Sequence, residues 1–127
     1  MKGQYIYYGA NGPIDSINSF SFEGQFILLA EDGTVRTPDG HPVLTLTASK
    51  EKFWVSNHAH VIRPLPNIDV RYLYYALQAS NIDEVITGAV QPKVSQENMK
   101  RIKVLLHAPD EMHHIVDAMP ILLRESS

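Results

Sequence analysis

The fold is decided around the stretch 88-GAVQPKVS-95, which marks a change in the pattern of the chain. It is typical of a polar Gly-x-x-Gln loop followed by a serine whose side chain can cap a short helical turn. The apolar run 104–106 comes next and indicates a buried strand or strand end. Pro109 then suits the first turn of a helix, and the acidic pair 110–111 suits its positive dipole end. Pro120 should kink or end that helix near Met119.

Working back toward the N-terminus, short strand patterns alternate with turn signals. Strands are predicted at residues 5–8, 20–22, 26–29, 43–48, 53–55 and 60–62. Turns are predicted at 9–13 and 31–33, and a surface loop at 34–42.

From Asp69 the apolar spacing changes to that of an amphipathic helix, with Val70 and Leu77 on one face and Asn67 or Asp69 as the N-cap. Many short strands followed by one middle helix and a terminal helix predict an α+β fold. Its β body would be compact and twisted, barrel-like or β-helix-like, with one helix packed on it.

The composition is that of an ordinary globular protein. One domain is the natural interpretation of 127 residues. The absence of cysteine excludes disulfides, cysteine-based zinc sites and a cysteine nucleophile. The lack of cysteine fits a cytoplasmic protein, and the sequence shows neither the apolar run of a signal peptide nor that of a membrane span. The formal net charge is −3, whereas proteins that hold DNA by neutralising phosphates usually carry a basic excess. A DNA reader of this charge would need basic residues clustered on one face, or a larger partner.

Two patterns invite a metal site. His58 and His60 would point to the same face of a strand, although no third ligand is fixed by spacing. Glu31 and Asp32 follow an apolar strand, as carboxylates of a metal-dependent nuclease would. Solvated or locally hydrogen-bonded imidazoles and an Asp-Gly turn explain the same residues more simply, and no metal is predicted. Serine-nucleophile elbows and phosphate-binding loops are absent from the sequence, so no catalytic residue is predicted.

DNA reading requires side chains that offer hydrogen bonds to base edges and cations for phosphates. Residues of both kinds lie in the predicted loops. The candidates for DNA contact are Asn11, Arg36, Lys50, Lys52, Asn57 and Lys93. Arginine and asparagine would contact base edges and the lysines would contact phosphates, while Gln91 would hold its own loop. The tyrosines of the first strand and Phe53-Trp54 are interpreted as packing residues rather than base-stacking platforms.

Five blocks in order resemble the specificity subunits of type I restriction-modification systems. They are 7-YYGANG-12, 22-FEG-24 with 27-ILLAEDG-33, 55-VSNHAHV-61, 69-DVRYLYYAL-77 and the segment 88–106. The resemblance runs from Tyr5 to about Met119. It implies an N-terminally incomplete target recognition domain at residues 1–108 and the start of a C-terminal spacer helix at 109–127. The family usually has a further segment before Tyr5 and a longer helix without an equivalent of Pro120.

The resemblance implies a recognition protein that is not an enzyme and holds no cofactor. Such subunits resemble a ruler with two recognition domains, each reading half of a split DNA target. The implied partners are double-stranded DNA, an adenine methyltransferase (modification) subunit, a restriction subunit and a second specificity chain. S-adenosylmethionine and ATP would belong to those partners. Two alternatives stay open: a truncated assembly or decoy subunit that does not bind DNA, and a metal-dependent nuclease using Glu31, Asp32, His58 and His60.

Overall fold

The computed structural model describes residues 3–88 and 90–104, and this part of the chain forms two sheets and short helices. The strands are β1 (Tyr5–Gly9), β2 (Gly12–Ile17), β3 (Phe22–Glu23), β4 (Ile27–Ala30), β5 (Leu44–Leu46), β6 (Lys52–Val55) and β7 (Ala59–Ile62). The helices are α1 (Val70–Gln78), α2 (Gln96–Met99) and a 3-10 turn at Asp83–Val85.

The four-stranded sheet has the order β2-β1-β6-β3, and the three-stranded sheet has the order β5-β4-β7. All neighbours are antiparallel except β1 and β6, which run parallel with Ile6 opposite Phe53. A two-residue turn joins β1 to β2, and Gly12 follows it with a φ of 118°. Strand β2 is not predicted from the sequence, because its Gly-Pro start is typical of a turn. A proline is tolerated there because β2 lies at the edge of the sheet.

Strand β4 is buried along its whole length and joins two apolar cores. Leu28 packs with the aromatic cluster of Tyr8, Phe26 and Phe53 under the four-stranded sheet. Ile27 points the other way, into a cluster with residues of α1. The three-stranded sheet is therefore covered on both faces, which explains why β4 reads as a continuous apolar run rather than an alternating one.

Helix α1 begins where the sequence predicts, with Asp69 as its N-cap. The Asp69 carboxylate accepts a hydrogen bond from the Arg71 backbone N–H at 2.8 Å and forms an ion pair with the Arg71 guanidinium at 3.0 Å. Burial alone would raise the pKa of this carboxyl, but the hydrogen bonds and charge of Arg71, with the Tyr72 N–H, hold the pKa below its usual value.

Loss of this cap should destabilise the domain. We expect Asp69→Ala to lower the free energy of unfolding by about 1 kcal/mol at pH 7, whereas Asp69→Asn keeps a capping oxygen and costs less. Because the folded-state pKa is lowered, the stability that the carboxylate's charge contributes is complete above the unfolded-state pKa of about 3.9 and is lost as pH falls toward the folded-state value. Urea unfolding at pH 7, 5 and 3 measures this. A difference between wild type and Asp69→Asn that grows at pH 3 would contradict it.

The α+β class is confirmed, with strands and helix α1 close to their predicted positions. In residues 3–88 and 90–104 the two sheets are open, so the barrel-like or β-helix-like body is not confirmed. The predicted surface loop 34–42 is wrong in one respect, because Val35 is buried against Leu29 and Val94 and accepts a backbone hydrogen bond from Val43. Val104 lies outside any strand, and the predictions for residues 105–127, including Pro120, fall outside the described residues. Neither described helix has the length and apolar content needed to cross a membrane.

Candidate nucleic-acid interface

Four chain segments meet at one edge of the two sheets. Because β1 and β6 run parallel, their last residues lie side by side, and the Ser56 N–H donates to the Tyr8 carbonyl at 2.9 Å. Because β4 and β7 are antiparallel, the end of β4 meets the start of β7, with Ala30 opposite Ala59. The turn between β6 and β7 therefore links the same edge of both sheets.

Hydrogen bonds tie these segments together. The Asn11 side-chain amide donates to the Thr34 carbonyl at 2.8 Å, which joins the β1–β2 turn to the bend after β4. The Glu31 N–H donates to the His58 carbonyl at 2.9 Å, and the Val94 N–H donates to the Glu31 carbonyl at 2.7 Å. Hydrogen bonds between residues far apart in sequence therefore hold this edge together, and two of the three join backbone atoms.

The Gly-x-x-Gln stretch that follows Thr87 forms a narrow loop at this edge. Thr87 and Lys93 exchange two backbone hydrogen bonds, of 2.9 and 2.8 Å, across its base. Gly88 adopts a φ of 87°, a conformation that favours glycine. Beyond it, the side chain of Val90 is 92% exposed. The loop is closed at its base and presents residues 90–92 to solvent.

Two open depressions lie side by side at this edge. One has a volume of about 480 Å³ and is bounded by the β1–β2 and β6–β7 turns. The other has a volume of about 470 Å³ and is bounded by residues 90–93. Asp32, Gly33 and His58 line both. We call this pair of depressions the edge groove.

A hydrogen-bonded pair stands at the centre of the edge groove. His58 Nδ1 lies 2.9 Å from Asp32 Oδ2. A carboxylate oxygen accepts hydrogen bonds and does not donate them, so His58 carries its hydrogen on Nδ1. The His58 side chain is 58% exposed and that of Asp32 only 25%. Asp32 therefore orients the imidazole.

His60 does not share a ligand position with His58. Its Nε2 lies 2.6 Å from the Val94 carbonyl oxygen and 3.7 Å from Glu31 Oε1, and its side chain is 9% exposed. The carbonyl can only accept, so Nε2 carries the hydrogen and is not available to a metal. In the described residues, no three metal-ligating side chains lie close enough to hold an ion. The simpler interpretation of these residues, local hydrogen bonding, accounts for them.

The comparisons with known proteins identify the family. The family model of the type I restriction modification DNA specificity domain matches residues 1–126. The chain belongs to this family.

Three related proteins illustrate the match. A putative type I restriction enzyme specificity subunit of Haemophilus influenzae, S.HindORF215P, is 29% identical over 98% of the chain and 32% of that protein. The EcoDI and EcoprrI specificity subunits of Escherichia coli are 26% and 21% identical over 97% and 87% of the chain, and each alignment covers 26% of the subunit. The chain thus spans about one third or less of these specificity subunits.

In this specificity domain, three of the six predicted DNA contacts lie at the edge groove. Asn11 and Asn57 line the depression between the turns, and Lys93 lines the depression beside the narrow loop. All three are exposed. Their convergence was not visible in the sequence, where Asn11 and Lys93 are separated by most of the chain.

Arg36 lies elsewhere and already has a partner. Its Nε is 2.7 Å from Asp83 Oδ1, and both side chains are about half exposed. The pair joins the loop after β4 to the 3-10 turn, near Gly40, whose carbonyl accepts from the Ile82 N–H. Such a surface ion pair stabilises a protein by at most about 1 kcal/mol, so it can exchange its partner for another anion.

Lys50 and Lys52 lie at the opposite end of β6. Lys50 adopts a φ of 65° in the turn before β6. That turn is held by Glu51, whose carboxylate accepts from the Ala48 N–H at 2.8 Å and from the Tyr8 hydroxyl at 2.5 Å. Burial and the bond to Glu51 keep the pKa of Tyr8 above its usual range. Lys52 extends over the Phe20 ring, 5.3 Å from its centroid.

The contact between Asp32 and His58 is not predicted from the sequence. Residues 31–33 are predicted to form a turn, and Gly33 does adopt a φ of 73° in a bend there. His58 is predicted to be a solvated or locally hydrogen-bonded imidazole, with a metal ligand as the alternative. The contact between them depends on the pairing of β4 with β7, and no spacing rule within the sequence reports that.

Proposed function

We propose that this chain is a sequence-specific DNA-recognition module of a type I specificity subunit, and that it directs a partner adenine methyltransferase and endonuclease to their target. The observation that carries the proposal is the family match over residues 1–126. The edge groove supports it, because three predicted contacts from three separate loops converge there. Loops fixed on a rigid scaffold are where binding residues concentrate in proteins.

The chemistry of each side chain determines whether it suits a base or a phosphate. Asn57 carries an amide, which offers a donor and an acceptor to base edges, and adenine is the base that suits an amide best. The Asn11 amide donates one hydrogen to the Thr34 carbonyl, and its second hydrogen and its oxygen can serve a base in the same way. Lys93 carries a point charge suited to phosphate. Lys50 and Lys52 lie at one end of β6, and Asn57 lies in the turn after its other end. The four residues of β6 span about 13 Å, roughly the length of four base pairs, so one duplex can reach both ends of the strand.

The remaining parts of the proposal concern the whole subunit. The family resemblance supports the proposal that residues 1–108 belong to a target recognition domain and residues 109–127 to the start of a spacer helix. The two open sheets belong to a barrel-like or β-helix-like body. The module works in the cytoplasm without catalysis or a cofactor of its own, beside a modification subunit, a restriction subunit and a second specificity chain.

A selection from random-sequence duplexes tests the proposal. The full chain, purified with its methyltransferase subunit, should enrich one short motif, and the enriched duplex should be methylated at an adenine. Enrichment of no motif by a complex that still assembles would overturn it and favour an assembly or decoy role. The net charge of −3 is the observation that favours this second role, because a protein that binds DNA by itself usually carries a basic excess.

The lysines make a separate prediction about salt dependence. Each phosphate contact contributes about 0.9 to the slope of log affinity against log salt. We expect Lys93→Ala to reduce the slope by about 0.9, and Lys50→Ala with Lys52→Ala to reduce it by about 1.8. Lys103→Ala is the matched control, since this exposed lysine lines a different depression, beside Asn81 and Arg101. Fluorescence anisotropy from 50 to 200 mM salt measures the slopes. An unchanged slope would remove the tested lysines from the interface.

A further inference from the structure

We propose that His58 is a phosphate-binding residue of the edge groove, and that it binds DNA only in its doubly protonated form. This inference rests on the proposed function and goes beyond it, because none of the six predicted contacts includes His58. It gives the interface a contact that is independent of base sequence and dependent on pH.

The geometry of the ring carries the inference. Nδ1 donates its hydrogen to Asp32 at 2.9 Å. With 58% of the side chain exposed, the other ring nitrogen, Nε2, is the atom left to meet a ligand. In the neutral ring, Nε2 is then an acceptor, and a phosphate oxygen is also an acceptor. The two atoms can form a hydrogen bond only when a second proton is added to Nε2. The resulting imidazolium would donate to Asp32 on one side and to phosphate on the other, and both hydrogen bonds would be charge-assisted.

A phosphate fits this site better than a base edge does. Discrimination between bases relies mainly on side chains that present two hydrogen-bonding groups at once, such as amides and guanidinium groups. His58 offers one nitrogen, because the other is engaged by Asp32. Asn11 and Asn57 beside it carry the paired groups. The edge groove thus combines two amides suited to bases with His58 and Lys93 suited to the backbone.

The surrounding groups are compatible with a proton-linked contact. Asp32 faces the ring from the bend after β4, Tyr7 lines the depression on one side, and Lys93 lines the depression on the other. Behind them, Glu31 lies 3.7 Å from His60, whose Nε2 is engaged by the Val94 carbonyl. Lys93 supplies the positive charge that also draws a phosphate to this place, and the Asp32 carboxylate balances the charge of the imidazolium.

The test is the pH dependence of DNA affinity, measured with the full chain in complex with its methyltransferase subunit. The affinity is measured at several pH values between 8 and 6. One proton taken up on binding changes Kd by up to about tenfold per pH unit. The wild type should bind more tightly as pH falls, both to the selected target duplex and to an unrelated duplex.

Two substitutions separate the ring's roles. Asn in place of His58 can keep a donor to Asp32 but has no group at Nε2. His58→Asn should therefore lose the tightening at low pH on both duplexes, and its salt slope should fall by about 0.9. His58→Lys supplies a permanent charge, so it should retain the salt slope and lose the pH dependence. His41→Asn is the control, because His41 Nδ1 bonds to the Ser80 carbonyl at 2.7 Å, away from the edge groove. It should behave as wild type.

Other results would overturn the inference. If His58→Asn kept the wild-type pH dependence, the linked proton would be bound elsewhere. If it weakened binding only to the target, or shifted the selected motif, His58 would be a base reader. A neutral ring accepting from a base amino group would instead bind more tightly as pH rises. A wild type that binds the target motif but fails these tests retains the proposed function, whereas a wild type that enriches no motif loses both.

Discussion

Phe53→Ala should lower the free energy of unfolding by about 3–5 kcal/mol, the usual cost of removing a buried aromatic ring. The Phe53 side chain has no exposed surface, and its ring contacts those of Tyr8, Phe22 and Phe26 at centroid distances of 5.4 to 5.9 Å. It stands on β6, between β1 and β3 and against β4. Its loss would leave a cavity where the two sheets meet.

Chemical denaturation of the variant measures this effect, and two substitutions calibrate it. Phe53→Leu retains most of the volume and should cost less than about 1.5 kcal/mol. Leu65→Ala removes an apolar side chain that is 69% exposed and should change stability by no more than about 0.5 kcal/mol. A cost for Phe53→Ala as small as that for Leu65→Ala would mean that the aromatic cluster is not the core of the sheets.

Gly88→Ala is expected to displace the narrow loop and weaken DNA binding at least tenfold. A Cβ at Gly88 would lie 2.3 Å from the Gln91 carbonyl oxygen, far inside van der Waals contact, and the φ of 87° adds a backbone cost of about 1–2 kcal/mol. The loop must open at its base to relieve the clash. Lys93 would move with it, and the depression beside residues 90–93 would lose its wall.

Gly33→Ala provides the matched comparison. Gly33 has a similar φ of 73°, but a Cβ there would meet no atom within 4 Å. Gly33→Ala should therefore show the backbone cost alone. Anisotropy titration of Gly88→Ala measures the loss of binding. Because Gly33 itself lines the edge groove, the two variants are compared by thermal unfolding, which separates clash from conformation. Equal effects of the two substitutions would show that the close approach of Gly88 to Gln91 contributes nothing.

The strands and helix α1 were largely predictable because their apolar periods are local. The spacing from Val70 to Leu77 predicts a helix, and the side chain of Asp69 provides the cap within two residues. The edge groove was not predictable on the same grounds. Asn11, Asp32 and His58 meet through the pairing of β4 with β7 and of β1 with β6, and each pairing joins residues more than thirty positions apart at most of its contacts. Lys93 joins them through its backbone bridge with Asp32.

The six candidate residues are predicted on the same grounds, as polar or basic side chains in predicted loops. Asn57 and Lys93 lie at the edge groove. Arg36 lies elsewhere, in an ion pair with Asp83 that depends on the packing of a loop against the 3-10 turn. The metal interpretation of His58 comes from its spacing to His60, whereas the residue that orients it, Asp32, lies 26 positions earlier in the chain.

The parallel pairing of β1 with β6 also determines when the edge groove can exist. The β1–β2 hairpin and the β4–β5 pair each join nearby residues, so both can form early in folding. Strand β6 completes the four-stranded sheet and strand β7 completes the three-stranded sheet. Both pair with strands far away in sequence, and such contacts form slowly. The turn between β6 and β7 carries Asn57 and His58. A chain emerging from the ribosome therefore has no edge groove until this last pair of strands has bound both partners, and a partly folded chain has its strands before it has its binding surface.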